Sequence, residues 1–217
     1  MSPILTTARL VCRDRESRDA VISAFRKIIA HTTPQEPKVL QYVCAVPVED
    51  GLGTEIYMVE EYADQSAGDK HLATPPVQDL VKLFTTGDVL AGPPEVHNCL
   101  VSSKKTSGSV LRVDDKPAIV LVNTPYKTSV TKGVLAGWDG AVQDAFETAE
   151  GLRAVVVVDD KETQSVRAEY VFRNWEEWDN FAAKGNSHDE IAGKGPAEIV
   201  KIRAIDGFLG REGGSKL

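Results

Sequence analysis

Val166-Arg167-Ala168-Glu169-Tyr170-Val171-Phe172-Arg173-Asn174, late in the chain, repeats the plan of Ile56-Tyr57-Met58-Val59-Glu60-Glu61-Tyr62-Ala63-Asp64, early in it. Each is a β-rich run that closes on an aromatic, Tyr62 or Phe172, and the polar residue two places on, Asp64 or Asn174, falls into register too. The same alignment sets Ala8 against Ala118, each at the head of an apolar run of strand character. A duplicated module, fused in tandem, is the economical explanation.

Working outward from the first run gives the module. Ala8 to Arg13 reads as a strand. Val21, Phe25, Ile28 and Ile29 then mark one face of a helix from about Arg18 to Ala30, which Pro34 and Pro37 are expected to end. Val39 to Val46 and Glu55 to Tyr62 form a hairpin across the Asp50-Gly51-Leu52-Gly53 turn. Thr74 caps a helix with Pro75 and Pro76 in its first turn and Val77, Leu80, Val81 and Phe84 on its inner face. Val96 to Val101 closes a βαββαβ order, the split βαβ of ferredoxin-like folds. The Ser- and Lys-rich stretch over 102–116 reads as a linker between a module at 1–101 and a second at 117–210.

In the second module Trp138, Val142 and Ala145 mark a helix, Leu152 to Val158 and Val166 to Phe172 a hairpin, and Glu198 to Ile205 the last strand. Asn174 is a helix N-cap with Glu177 three positions on, and Trp175, Trp178 and Phe181 form the helix's apolar stripe. Ile119 to Val122 and Val155 to Val158 are apolar on both faces, whereas helices can cover only one. The expected fold is therefore α+β, two tandem ferredoxin-like modules whose sheets close one intramolecular dimeric α/β barrel. A monomer is feasible, because each half supplies the other's partner.

A net charge of −7 with no basic, aromatic-laced cluster argues against nucleic acid or an anionic membrane as partner. No run approaches membrane-spanning length, and the N-terminus lacks a signal-peptide core. Cys12, Cys44 and Cys99 sit in apolar runs without CxxC or Cys/His spacing, which reads as reduced core thiols and no metal site.

Glu60-Glu61-Tyr62-Ala63-Asp64, followed by His71-Leu72-Ala73-Thr74-Pro75, resembles the antibiotic-biosynthesis monooxygenase domains over roughly residues 5 to 101. That family carries an acidic residue and an aromatic at the end of its third strand, then a His and a small-residue cap. The second module has Phe181 in place of His71 and looks like a degenerate copy. The resemblance implies a dimeric α/β barrel with a ligand held between sheet and helices. It also implies, for many members, oxidation of a hydrophobic aromatic polyketide or quinol without metal, flavin or other cofactor. A non-catalytic binding or scaffold role is the alternative. The haem-degrading branch is not implied, since its strand-one Asn falls near Arg9 and its iron-ligating His near Val81.

On this reading His71 is the candidate base toward a substrate phenol, because an imidazole titrates near neutrality; its plainer role is a local hydrogen bond beside a helix. Tyr57 and Tyr62 could each donate to a substrate oxygen, but their odd spacing sends them to opposite faces of the strand; core packing is the plainer role for both. Glu60 and Glu61 also diverge. The inward one is either a base of raised pKa or an ion-pair partner for Arg9 or Arg13, the pair being favoured. Phe84 supplies apolar wall.

Ser215-Lys216-Leu217 matches the tripeptide address read by the peroxisomal import receptor, with Gly210 to Gly214 as a flexible approach, so the expected location is the peroxisome, with the cytoplasm as the alternative. An N-terminal fluorescent fusion with this tail free is expected to be punctate and to turn diffuse when the three residues are removed. Diffuse signal with the tail intact would exclude import.

Overall fold

The structure is a computed structural model describing residues 2–106, 111–126, 132–184 and 197–211. The first module runs β1 (Ile4–Val11), α1 (Arg15–Gln35), β2 (Val39–Pro47), β3 (Glu55–Tyr62), α2 (Gln65–Leu72), α3 (Pro75–Thr86) and β4 (Glu95–Thr106). After a short 3₁₀ turn at Val113–Asp115, the second runs β5 (Ala118–Pro125), α4 (Lys132–Thr148), β6 (Leu152–Asp160), β7 (Ser165–Phe172), α5 (Trp175–Ala183) and β8 (Glu198–Phe208).

The chain divides into two compact units, one holding residues up to Asn98 together with those from Ala204 onward, the other Cys99–Arg203. β4 and β8 each begin in one unit and end in the other. The hydrogen-bonded strand order is β1-β3-β2-β8-β5-β7-β6-β4 and closes on itself as a barrel. Within it, β4-β1-β3-β2 and β8-β5-β7-β6 are the same ferredoxin-like order, one copy per module. The expected fold class is thus the observed one.

Period-2 alternation decides which side chains meet the helices. In the first unit Leu10, Tyr42, Cys44, Ile56, Met58 and Tyr62 pack with Val21, Phe25 and Ile28 of α1 and Val77 and Leu80 of α3. In the second, Val120, Val155, Val157, Tyr170 and Phe172 pack with Trp138 and Val142 of α4 and Trp178 and Phe181 of α5. Each fully buried aliphatic or Phe side chain contributes about 1.5–3 kcal/mol of transfer free energy. The opposite strand faces are buried as well, at Val43, Val59, Ile119 and Val156, as their sequences require. All three cysteines are free and buried, and desolvation pushes the Cys12 and Cys99 thiols up to about 11 and Cys44 to about 12.

Several elements differ from the sequence reading. α1 extends to Gln35, with Pro34 inside its last turn rather than ending it. Residues 65–72 form a separate helix, α2, N-capped by Asp64, whose carboxylate accepts from the Ala67 N–H at 2.9 Å. Asn174 does the same for α5, accepting from the Glu177 N–H at 3.0 Å. Val81 is 44% exposed, so the inner face of α3 excludes it. Trp175 is only half-buried, with Lys201 Nζ lying 5.8 Å from its ring centroid. β4 continues to Thr106, five residues beyond the strand read from sequence, and so takes in the first part of the segment read as linker. No helix among the described residues is long and apolar enough to cross a membrane.

Gly207 in β8 has φ +127°, and a Cβ there would sit 2.0 Å from the Tyr42 carbonyl oxygen and 2.9 Å from Val43 Cα. Both neighbours are backbone and cannot swing away. Gly207→Ala is expected to destabilise by about 2 kcal/mol or more in urea denaturation. Gly140→Ala, on a helix with open space around it, should be neutral or stabilising by up to about 1 kcal/mol. Equal effects at the two sites would contradict the strand geometry.

Candidate functional site

The first unit carries a cluster of polar groups between its sheet and its helices. The β2–β3 register sets Tyr42 directly opposite Glu60, and period 2 puts Tyr62 on the same face as Glu60. The Tyr62 hydroxyl donates to Glu60 Oε2, and Tyr42 also hydrogen-bonds Glu60. α2 then delivers His71 over the two phenols, its ring centroid 5.2 Å from that of Tyr42 and 5.5 Å from that of Tyr62, tilted to both. Its Nδ1 lies 3.0 Å from Glu36 Oε2, and that oxygen also accepts from Thr32 Oγ1 at 2.6 Å. The sequence thus places His71 where α1, α2, β2 and β3 converge.

His71 is only 2% exposed, within α2 rather than on a tolerant flank. That position corrects the expectation of a histidine merely beside a helix. His71→Ala would leave a cavity and remove the partner of Glu36.

Desolvation raises the Glu60 carboxyl above its ordinary 4.5, opposed by nearby His71 and by the two phenols. Burial and the adjoining Glu60 carboxylate push both Tyr42 and Tyr62 upward, so the phenols stay protonated and donate. A carboxyl of raised pKa and an imidazole beside it are two proton-exchanging groups within one apolar wall, to which half-buried Phe84 contributes.

The remaining residues singled out from sequence lie elsewhere. Arg9 and Tyr57 are partners across β1–β3, on the strand face opposite His71, which removes them from this cluster. Arg9 makes a bidentate pair with Glu55, both contacts 2.9 Å, and the Tyr57 hydroxyl donates to the same carboxylate at 3.3 Å. Arg9 holds Glu55 below its usual range, and burial brings Tyr57 to about 12. The favoured Arg9–Glu60 or Arg9–Glu61 pair therefore does not form: period 2 gives Arg9 to Glu55. Arg13 pairs instead with Asp88. Ser215, Lys216 and Leu217 lie outside the described residues.

Sequence reasoning missed Glu36 and Tyr42. Tyr42 could have been found by counting the hairpin register back from Glu60. Glu36 gives no signal, because it follows a helix end between Gln35 and Pro37 and meets His71 only in the fold.

The second unit has the same scaffold without the cluster. Tyr170 takes the place of Glu60, Phe172 that of Tyr62 and Phe181 that of His71, while Val155 opposes Tyr170 as Tyr42 opposes Glu60. Tyr170, Phe172, Trp178 and Phe181 pack ring on ring at 5.3–6.2 Å.

The fold and this site together define a tandem ferredoxin-like α+β barrel in which one module carries a polar, histidine-bearing cluster and the other fills the equivalent positions with rings. A profile of the family described as antibiotic biosynthesis monooxygenase matches residues 11–83, all within the first module. Among solved structures, a monooxygenase candidate from Lactobacillus acidophilus NCFM is similar at TM-score 0.76 and 15% identity, with 96% of both chains covered. One from Fusobacterium nucleatum reaches 0.79 at 17% identity, covering 96% of this chain and 95% of its own. An anthrone oxidase-like protein reaches 0.65 at 13%, covering 100% and 96%. At these identities the likeness is one of fold. No curated protein matches the sequence.

The raised Glu60 carboxyl has a stability consequence. Below the unfolded value near 4.5 both states hold the proton and the group contributes nothing. As pH rises past it the unfolded chain ionises first, so Glu60 lowers stability until its own folded pKa is passed. Glu60→Gln, which resembles the protonated side chain, is expected to raise the urea midpoint at pH 7 relative to wild type and to lose that advantage at pH 4. An advantage at pH 4 that disappears at pH 7 would contradict the desolvated carboxylate.

Proposed function

We propose that the first module binds a hydrophobic, hydroxylated aromatic compound of the polyketide or quinol type and oxidises it with dioxygen, as a cofactor-independent monooxygenase or a closely related tailoring enzyme. The observation that carries this reading is the contrast between the modules. One scaffold is stable with Val155, Tyr170, Phe172 and Phe181 at these positions, so packing alone does not require Tyr42, Glu60, Tyr62 and His71. A half-buried carboxylate and a buried imidazole carry a desolvation cost that an apolar replacement avoids.

In this reading Glu36 accepts from His71 Nδ1–H and leaves Nε2 as the basic nitrogen. Nε2 takes the proton of the substrate's enol or phenol. The resulting anion is electron-rich enough to reduce dioxygen itself. For an anthrone, one oxygen atom becomes the new carbonyl and the other leaves as water, the two hydrogens coming from the oxidised methylene, so the balance needs only substrate and O2. The Tyr62 and Tyr42 phenols, kept protonated, orient the substrate's oxygen together with Glu60. Phe84 and the apolar residues of α1 and α3 form the hydrophobic wall. The matching domain profile at residues 11–83 supports the reading.

The test uses His71→Phe, which installs the second module's own residue and preserves packing volume better than alanine. With anthrone or a substituted hydroquinone, wild-type protein is expected to show oxygen uptake, and the variant a loss of about 100-fold or more in kcat with its fold retained by circular dichroism. Binding without oxygen uptake in wild type would establish a binding protein instead, and equal turnover in the two proteins would remove His71 from the chemistry.

A further inference from the structure

Arg211 lies just beyond β8, in the portion of the chain from Ala204 onward that belongs to the first unit. Its guanidinium spreads over the end of α1. Nε donates to the Val39 carbonyl at 2.6 Å, Nη1 to Thr33 at 2.8 Å, and Nη2 to Thr32 at 3.1 Å and to Glu36 at 2.8 Å. The group also lies on the Phe208 ring, 4.6 Å from its centroid. Four acceptors on one planar fork is close to the full capacity of an arginine.

Two of those carbonyls belong to Thr32 and Glu36, whose side chains meet at the oxygen that holds His71. Thr32 is buried on α1, and Glu36 is the C-cap residue. A helix end leaves its last carbonyls without partners, and Pro34 adds a missing N–H in the final turn. The Glu36 N–H donates to the Thr32 carbonyl and the Glu36 carbonyl accepts from the Val39 N–H, both at 3.0 Å, and Arg211 adds a second donor to each of those two carbonyls from outside the helix.

We propose that Arg211 is a positioning residue for His71. By pinning the backbone at both Thr32 and Glu36 it aims the Glu36 carboxylate at Nδ1 and sets the imidazole tautomer. The histidine of the first module is then completed by the segment that follows the last strand of the second. The importance of this for turnover rests on His71 being the working base, whereas its effect on the tautomer does not.

The experiment is 15N NMR of the ring nitrogens of His71 in the full chain, comparing wild type with Arg211→Met, which keeps a flexible stem over Phe208 but donates nothing. Wild-type neutral His71 is expected to carry its proton on Nδ1. In R211M the population is expected to move to the Nε2–H form that free imidazoles favour, with kcat on anthrone about 10-fold lower. A role confined to stabilising the helix end would lower the melting temperature and leave the tautomer alone. If R211M does not fold, Arg211→Lys, which keeps the charge but cannot span four carbonyls, is measured in the same way. An unchanged tautomer in a folded variant, or a wild-type His71 already protonated on Nε2, overturns the proposal. A shifted tautomer in a protein that consumes no oxygen with any anthrone upholds Arg211 and rejects the oxidation reading, so the two fail separately.

Discussion

Glu60 points from β3 toward the helices of the first module, where an ionised carboxylate is tolerated only if other groups solvate it. Tyr42, opposite it across the hairpin, and Tyr62, two residues along the same strand face, supply that solvation with their hydroxyls. Two phenols committed to one carboxylate must themselves be covered, and the ring of His71 covers both. His71 in turn needs a partner for its buried Nδ1 and finds it in Glu36. Each member thus exists at the desolvation cost of the one before. The chain of dependence runs from the centre of the sheet to the end of α1, where Arg211 anchors it.

The second module shows what the scaffold does when that first carboxylate is absent. With Tyr170 where the first module has Glu60, the phenols and the histidine lose their reason. The space is taken by Phe172, Trp178 and Phe181 in tilted and edge-on ring contacts. Such aromatic pairs add about 0.5–1.5 kcal/mol each beyond area burial, so the apolar version is a sound structural element in its own right. One copy thus keeps a costly polar cluster, while the other packs its equivalent positions with rings.

The legible parts of this architecture are those encoded locally. Glu55–Tyr62 is rich in β-forming residues and bounded by Gly53 and Asp64, so β3 can be read to the residue, and Asn174 followed by Glu177 marks the start of α5. The Ala8–Ala118 alignment carries the same logic to the whole fold, because two copies of one order predict one topology. What stays hidden depends on contacts distant in sequence. α1 outlasts Pro34 through the Glu36 N–H bond to Thr32, and its last carbonyls are also met by Arg211, 175 residues after Glu36. Glu36 itself becomes part of the site through a histidine 35 residues on. Arg9 shows the converse hazard, a cation well placed for Glu60 by proximity in strand order yet committed by side-chain parity to Glu55.

On the proposed function, the first module alone holds a ligand, at the His71–Glu60 cluster. The most direct measurement is a crystal structure of the protein with a bound, oxidation-resistant anthraquinone or hydroxyanthraquinone. The account predicts one molecule per chain, its oxygen within hydrogen-bond distance of His71 Nε2 or the Tyr62 hydroxyl and its rings against Phe84 and the inner face of α3. A molecule seated instead among Tyr170, Phe172, Trp178 and Phe181, or one beside Arg9 and Tyr57 with the His71 cluster unaltered, would contradict it.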